Sequence, residues 1–305
     1  MIVNRLYLSA IHSALSRSLV LSALAALGWG IGLSAAHHGI SLGLQPLDLA
    51  FVRYVVAGPI LLLCHSKWKV DHPSRISTTS AILLALLGGP ILMISIVGGS
   101  RRAPFESGVL VEVATLAVCS IILARLLLGE KLDIWRRLAL LALSARLGFL
   151  LSPSIAAGHV GLLLFACGGA MSAAVGAVCC RWRTDPIATL TIVTLTSLTI
   201  LVGYYVSFDS FERLIAAPWS LLLEQGICQG VIAGFASWLG FLYSARTLGL
   251  VTASFLPAIT PAMAALLMSV LTGEILTVSQ LGLVCLGVLS AFLLVLNLSR
   301  LAPGE

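Results

Sequence analysis

The chain has 305 residues, of which 59% are hydrophobic and only 10% charged, with a formal net charge of +6. Soluble domains carry charge on about a quarter of their residues, so this composition excludes an ordinary soluble fold. The Lys and Arg residues are spread over short polar segments rather than gathered on one face, which argues against nucleic acid as a partner. The partner that the composition implies is a lipid bilayer.

Residues 1–18 form a polar–apolar lead carrying Arg5 and Arg17. Apolar runs follow at 19–38, 47–64, 79–98, 105–124 and 134–151, then at 159–180, 186–206, 219–243, 247–271 and 278–297. Each approaches the ~20 residues that span a bilayer. The first ends in Ser34-Ala35-Ala36 but is too long for a leader core, and it reads as a retained span. The expectation is an all-α polytopic membrane protein with ten transmembrane helices.

A shift of 144 residues lays 245–296 over 101–152, where Leu271-Thr272-Gly273-Glu274-Ile275-Leu276 meets Leu127-Leu128-Gly129-Glu130-Lys131-Leu132. Two copies of one unit follow, at 19–152 and 153–297, with 298–305 as a tail. With the N-terminus inside, thirteen Lys and Arg residues fall on inner segments and three (Arg101, Arg102, Arg213) on outer loops. By the positive-inside rule both termini are expected in the cytoplasm. An odd number of spans per copy then inverts the second copy relative to the first, an architecture of transporters.

Interruptions inside the runs mark a candidate binding region. Pro257 and Pro261 flank Thr260 near the middle of 247–271, with Ser254 one turn earlier, and Gly88-Gly89-Pro90 breaks 79–98. Proline frees backbone carbonyls, which a membrane tolerates only against protein or a wet cavity. Gly28 and Gly32, and Gly226, Gly230 and Gly234, form small-residue rows of the kind that let helices approach closely.

Charged residues inside spans are costly and therefore candidates. Glu112 lies about eight residues into its run, too deep to reach water by bending, so it predicts proton coupling, cation binding or a structural pair. Arg53, Glu106 and Glu224 with Gln225 lie nearer the outer end, and Arg53 is a candidate anchor for a substrate carboxylate or phosphate. Arg146 is placed to snorkel. Trp29 is a candidate cavity wall. The seven cysteines, including Cys179-Cys180, show no metal spacing and read as apolar packing. No metal and no cofactor beyond a coupled proton is expected, and no feature specifies an oligomeric state.

Leu27-Gly28-Trp29-Gly30, Pro46-Leu47 and Ala50-Phe51-Val52-Arg53-Tyr54 resemble the opening of the EamA-type drug/metabolite transporters. Ala245-Arg246-Thr247-Leu248-Gly249, Ala253-Ser254, Pro257, Pro261, Gly273-Glu274, Gln280, Gly282 and Gly287 follow that family's repeat in order and spacing. The resemblance implies a carrier of small metabolites such as amino acids, often outward, in a bacterial inner membrane. It implies a cavity lined by helices 1–4 and 6–9, bringing in Arg53, Glu112, Glu224, Ser254 and Thr260. The first copy departs from the pattern, with Val113 and Ala117 in place of the two prolines. Two other classes stay open at this point: an intramembrane enzyme acting on lipid, and a non-transporting membrane subunit.

Overall fold

The computed structural model describes residues 2–67, 77–130, 160–208 and 211–273, with isolated positions between 134 and 147 and at 278 and 281. Among the described residues all regular structure is helical. Eight stretches there are long and apolar enough to cross a membrane: Val20–Ser41, Pro46–Lys67, Thr78–Ser100, Phe105–Leu127, Val160–Arg181, Pro186–Phe208, Trp219–Leu248 and Leu250–Val270. The expected spans 134–151 and 278–297, with Arg146 and Glu274, lie largely outside the described residues.

The helices begin and end where local chemistry dictates. Helix α1 (Ile2–Ser41) turns within four residues into α2 (Pro46–Lys67). Pro46 opens α2 at a position where no backbone donor is missed. Helix α3 (Thr78–Gly88) is capped by Ser77, whose hydroxyl accepts from Ser80 N at 3.2 Å. Gly89, with ψ −145°, then separates it from α4 (Pro90–Ser100), because the residue before a proline is pushed out of helical geometry. After α5 (Phe105–Leu127) and α6 (Val160–Arg181), Asp185 caps α7 (Pro186–Phe208) by accepting from Ile187 N at 2.8 Å and Ala188 N at 3.2 Å.

A short helix α8 (Glu212–Ala216) leads to a composite span: α9 (Trp219–Gln225), a π-helix over Gly226–Ser237 and α10 (Trp238–Leu248). Gly249, at φ +86°, makes the turn into α11 (Leu250–Phe255). A 3₁₀ turn at Leu256–Ile259 separates it from α12 (Thr260–Thr272). Both predicted breaks are therefore present, at Gly89-Pro90 and around Pro257.

Helix α5 lies along α6, and α1 lies against the π segment, α10 and α12. Close approach depends on glycine. A Cβ on Gly169 of α6 would strike the backbone carbonyl of Glu112 in α5, and one on Gly32 of α1 would strike Ala233. The loops 42–45 and 101–104 share one end of the bundle, called here the Pro46 end; 182–185 and Gly249 share the other, the Arg181 end. A large apolar cluster including Leu116, Ile121, Val175, Phe241, Leu242 and Leu250 fills the half toward the Arg181 end.

Adding one methyl at Gly169 should force α5 and α6 apart, since overpacking a close-packed contact costs about 1–3 kcal/mol. Gly169→Ala is expected to lower the thermal unfolding midpoint of the detergent-solubilised protein. Gly203→Ala, where a new Cβ meets nothing within 4 Å, should leave the midpoint unchanged or raise it slightly.

Candidate functional site

Midway along the bundle a cavity of about 30 Å³ is lined by Trp29 and Gly32 of α1, Arg53 of α2, Met93 and Ile96 of α4, and Glu112 of α5. Ser172 of α6, Gln229 and Ala233 of the π segment, and Trp238 of α10 complete the wall. A cavity of this size admits about two water molecules. It is therefore too small for a larger solute in this conformation.

Arg53 is 7% exposed and is held entirely by uncharged acceptors. Its Nη2 donates to the Ala233 carbonyl at 3.2 Å, and its Nη1 reaches Gln229 Oε1 and Met93 Sδ, both at 3.4 Å. Gln229 in turn donates through Nε2 to the Gly32 carbonyl. These bonds depend on the π segment. A π turn places carbonyls off the α-helical line and is commonest at functional sites. Here Ser237 Oγ donates to the Ile232 carbonyl at 2.9 Å, five residues back, and Ala233 O remains able to accept from Arg53. Gly230 and Gly234 lack the side chains that would collide with Val56 and Arg53.

Glu112 faces the same cavity from α5. Its Oε2 is enclosed and has no hydrogen-bond partner among the described residues. Arg53 is the charged group that acts on it electrostatically, yet the two form no direct ion pair. Below them, Trp29 meets Trp238 edge-on at 5.8 Å and Phe241 at 5.3 Å, so three rings separate the cavity from the Arg181 end.

The other sequence candidates are placed elsewhere. Glu224 does not join Arg53; its Oε1 meets His38 Nδ1 at 3.0 Å and accepts from Gln225 Nε2 at 3.1 Å. Ser254 Oγ donates to Val251 O at 2.7 Å, and Thr260 Oγ1 to Ala26 O at 3.0 Å, tying the broken span to itself and to α1. Pro90, Pro257 and Pro261 mark the breaks and do not line the cavity. At the first break the Tyr54 hydroxyl donates to Gly88 O at 3.1 Å.

Two groups were missed from sequence. Gln229 is an uncharged residue within an apolar run and carries no local signal. Asp48, fully buried at the Pro46 end, accepts from Gln45 N at 2.7 Å, from the Tyr205 hydroxyl and from Arg213 Nε at 3.1 Å. Hydrogen bonding to Asp48, reinforced by its charge, raises the Arg213 guanidinium above its ordinary pKa. Gln45 Oε1 also accepts from Arg101, so this cluster ties α2 to loops of both halves.

Comparison with known proteins explains why the cavity lies where it does. The model of the EamA-like transporter family matches residues 16–151 and again 160–296. The chain belongs to the EamA-like transporter family. Its members are transporters rather than enzymes, and the chain is accordingly a multi-pass membrane transporter of the drug/metabolite type. The cavity lies between the two repeats: Trp29, Arg53 and Glu112 come from the first, and Ser172, Gln229 and Trp238 from the second. A solved crystal structure is similar over 94% of this chain and 99% of its own, with a TM-score of 0.62 at 18% sequence identity; that likeness shows the shared fold. No curated protein matches the chain.

Asp48→Ala should lower stability by about 1–3 kcal/mol for each donor left without a partner. Asp48→Asn keeps an acceptor for Tyr205, so its thermal midpoint is expected to fall between those of wild type and Asp48→Ala.

Proposed function

We propose that the chain is a secondary transporter moving a small polar or amphipathic, amino-acid-like metabolite by alternating access, in the efflux direction. The observation that carries this reading is the shared cavity, in which one repeat contributes a buried cation and a buried carboxyl and the other an amide and an aromatic wall. Intramembrane charges that face a bundle interior mark substrate or ion paths. Arg53 offers a fork of donors to a carboxylate, and Glu112 offers an acceptor to an ammonium or to a proton. Trp29 and Trp238 supply an apolar face for a side chain.

The full architecture proposed is ten spans, with 134–151 and 278–297 completing two inverted five-helix units. Both termini are cytoplasmic, in a bacterial inner membrane, which puts the Pro46 end outside. In this conformation the cavity is too small for such a cargo. Toward the Pro46 end the cavity adjoins an apolar cluster including Ala36, Met93 and Val97, with the Asp48–Arg213 and His38–Glu224 contacts in the same half; toward the Arg181 end lie the Trp29, Trp238 and Phe241 rings. Proton coupling through Glu112 is supported by its enclosed Oε2, which has no hydrogen-bond partner among the described residues.

The test is release of a mixed pool of amino acids and related metabolites from proteoliposomes, read by mass spectrometry. Wild-type protein is expected to release a subset of the pool. Arg53→Ala should slow that release by about tenfold or more, as loss of one charge-assisted hydrogen bond of 1.5–3 kcal/mol implies. Glu112→Gln should remove the pH dependence of release of the anionic members of the pool. Release that is the same with Arg53→Ala as with wild type would refute the assignment of this cavity.

A further inference from the structure

We infer that the cargo's own charge sets how many protons travel with it: a monoanion binds together with one proton on Glu112, and a zwitterion binds with none. This rests on the transport reading above and deepens it.

Arg53 keeps its charge at any physiological pH. Its hydrogen-bond partners among the described residues, Ala233 O, Gln229 Oε1 and Met93 Sδ, are all neutral, so none of them cancels that charge. Glu112 is the acidic group whose field reaches Arg53 from within the cavity, and its Oε2 is enclosed without a hydrogen-bond partner among the described residues. An uncompensated charge in so enclosed a site is strongly disfavoured, so the site selects combinations that sum to about zero. With Glu112 ionised, Arg53 and Glu112 already sum to zero, and the cargo that fits is neutral overall. A zwitterion places its carboxylate toward Arg53 and its ammonium toward Glu112. A monoanion matches Arg53 by itself and leaves the Glu112 carboxylate as surplus negative charge. Neutrality is restored when Glu112 takes one proton from solvent.

No other titratable group offers the same compensation among the described residues. On α5, Glu106 lies near the Pro46 end and Cys119 two turns beyond Glu112. On α1, His37 stacks on Phe105 at 4.8 Å and His38 is engaged with Glu224. On α2 the Tyr54 hydroxyl is committed to Gly88 O. Cys167 and Cys179 of α6 and Cys228 of the π segment are thiols outside the cavity lining. Of all these neighbours, Arg53 is the one whose charge bears on Glu112.

The test compares L-leucine, a zwitterion, with N-acetyl-L-leucine, a monoanion with the same tail, by titration calorimetry on the full-length protein in detergent. Each probe is measured in two buffers of different ionisation enthalpy, which reads protons taken up per ligand bound. Under conditions where Glu112 is ionised in the free protein, N-acetyl-leucine should take up about one proton and leucine about none. Affinity for N-acetyl-leucine should fall by up to about tenfold per pH unit on the alkaline side, while affinity for leucine stays flat. Glu112→Gln should bind N-acetyl-leucine without proton uptake and should lose leucine affinity about tenfold; the two-probe comparison on wild type stands even if this variant does not fold. Equal proton uptake for both probes, or no binding of either at about 10 mM, overturns the inference. If mixed-pool release still depends on Arg53 in that event, the charge rule falls and the transport reading stands.

Discussion

A guanidinium buried among neutral acceptors, facing a carboxyl it does not touch, is the constraint on which the rest of this structure depends. Removing a charged group from water is expensive, and a membrane interior offers no cheap refuge. Arg53 is accommodated because Ala233 O, Gln229 and Met93 converge on it. That convergence requires the π turn of Gly226–Ser237, and the π turn requires glycines where Val56 and Arg53 press against it. Local backbone geometry in the second repeat therefore serves a charge carried by the first.

The same arrangement divides the bundle into unequal halves. Toward the Arg181 end, apolar side chains from α5, α6, α10 and α11 close together beneath the ring cluster of Trp29, Trp238 and Phe241. Toward the Pro46 end a second apolar cluster, including Ala36, Leu49, Met93 and Val97, lies next to the cavity, with the polar contacts of Asp48 with Arg213 and of Gln45 with Arg101 at its edge. Breaking the contacts of the buried Asp48 leaves donors without a partner, and packed apolar side chains must slide or rotate as a body, so opening costs free energy at either end. The breaks at Gly89-Pro90 and around Pro257 lie in spans that border this region, where a helix can bend without losing a full turn of hydrogen bonds.

Much of this was legible in the sequence, and the remainder was not for identifiable reasons. The repeat, the apolar runs and the proline breaks are properties of local sequence, and so is the cost of placing Arg53 and Glu112 inside spans. What local sequence does not carry is who meets whom. Asp48 reads as an acidic residue in a first helical turn, yet its burial comes from Tyr205 and Arg213, 157 and 165 residues away. Glu224 looks like a neighbour for Arg53, but His38 holds it. Ser254 and Thr260 sit at a break and look available, yet nearby backbone carbonyls claim both hydroxyls. Glycines 226, 230 and 234 announce close packing, but an α-helix and a π-helix satisfy that spacing equally well. Only the tertiary partners decide between them.

The account's central claim is that one cavity, shared by both repeats, is reached from the two sides of the membrane in turn. The most direct measurement is labelling of Ser172→Cys, in protein lacking its native cysteines, by a membrane-impermeant maleimide applied to one face at a time. The account predicts that the cavity-facing thiol reacts from either face during turnover and is protected by bound cargo. Reaction from one face only, or from neither, would contradict it.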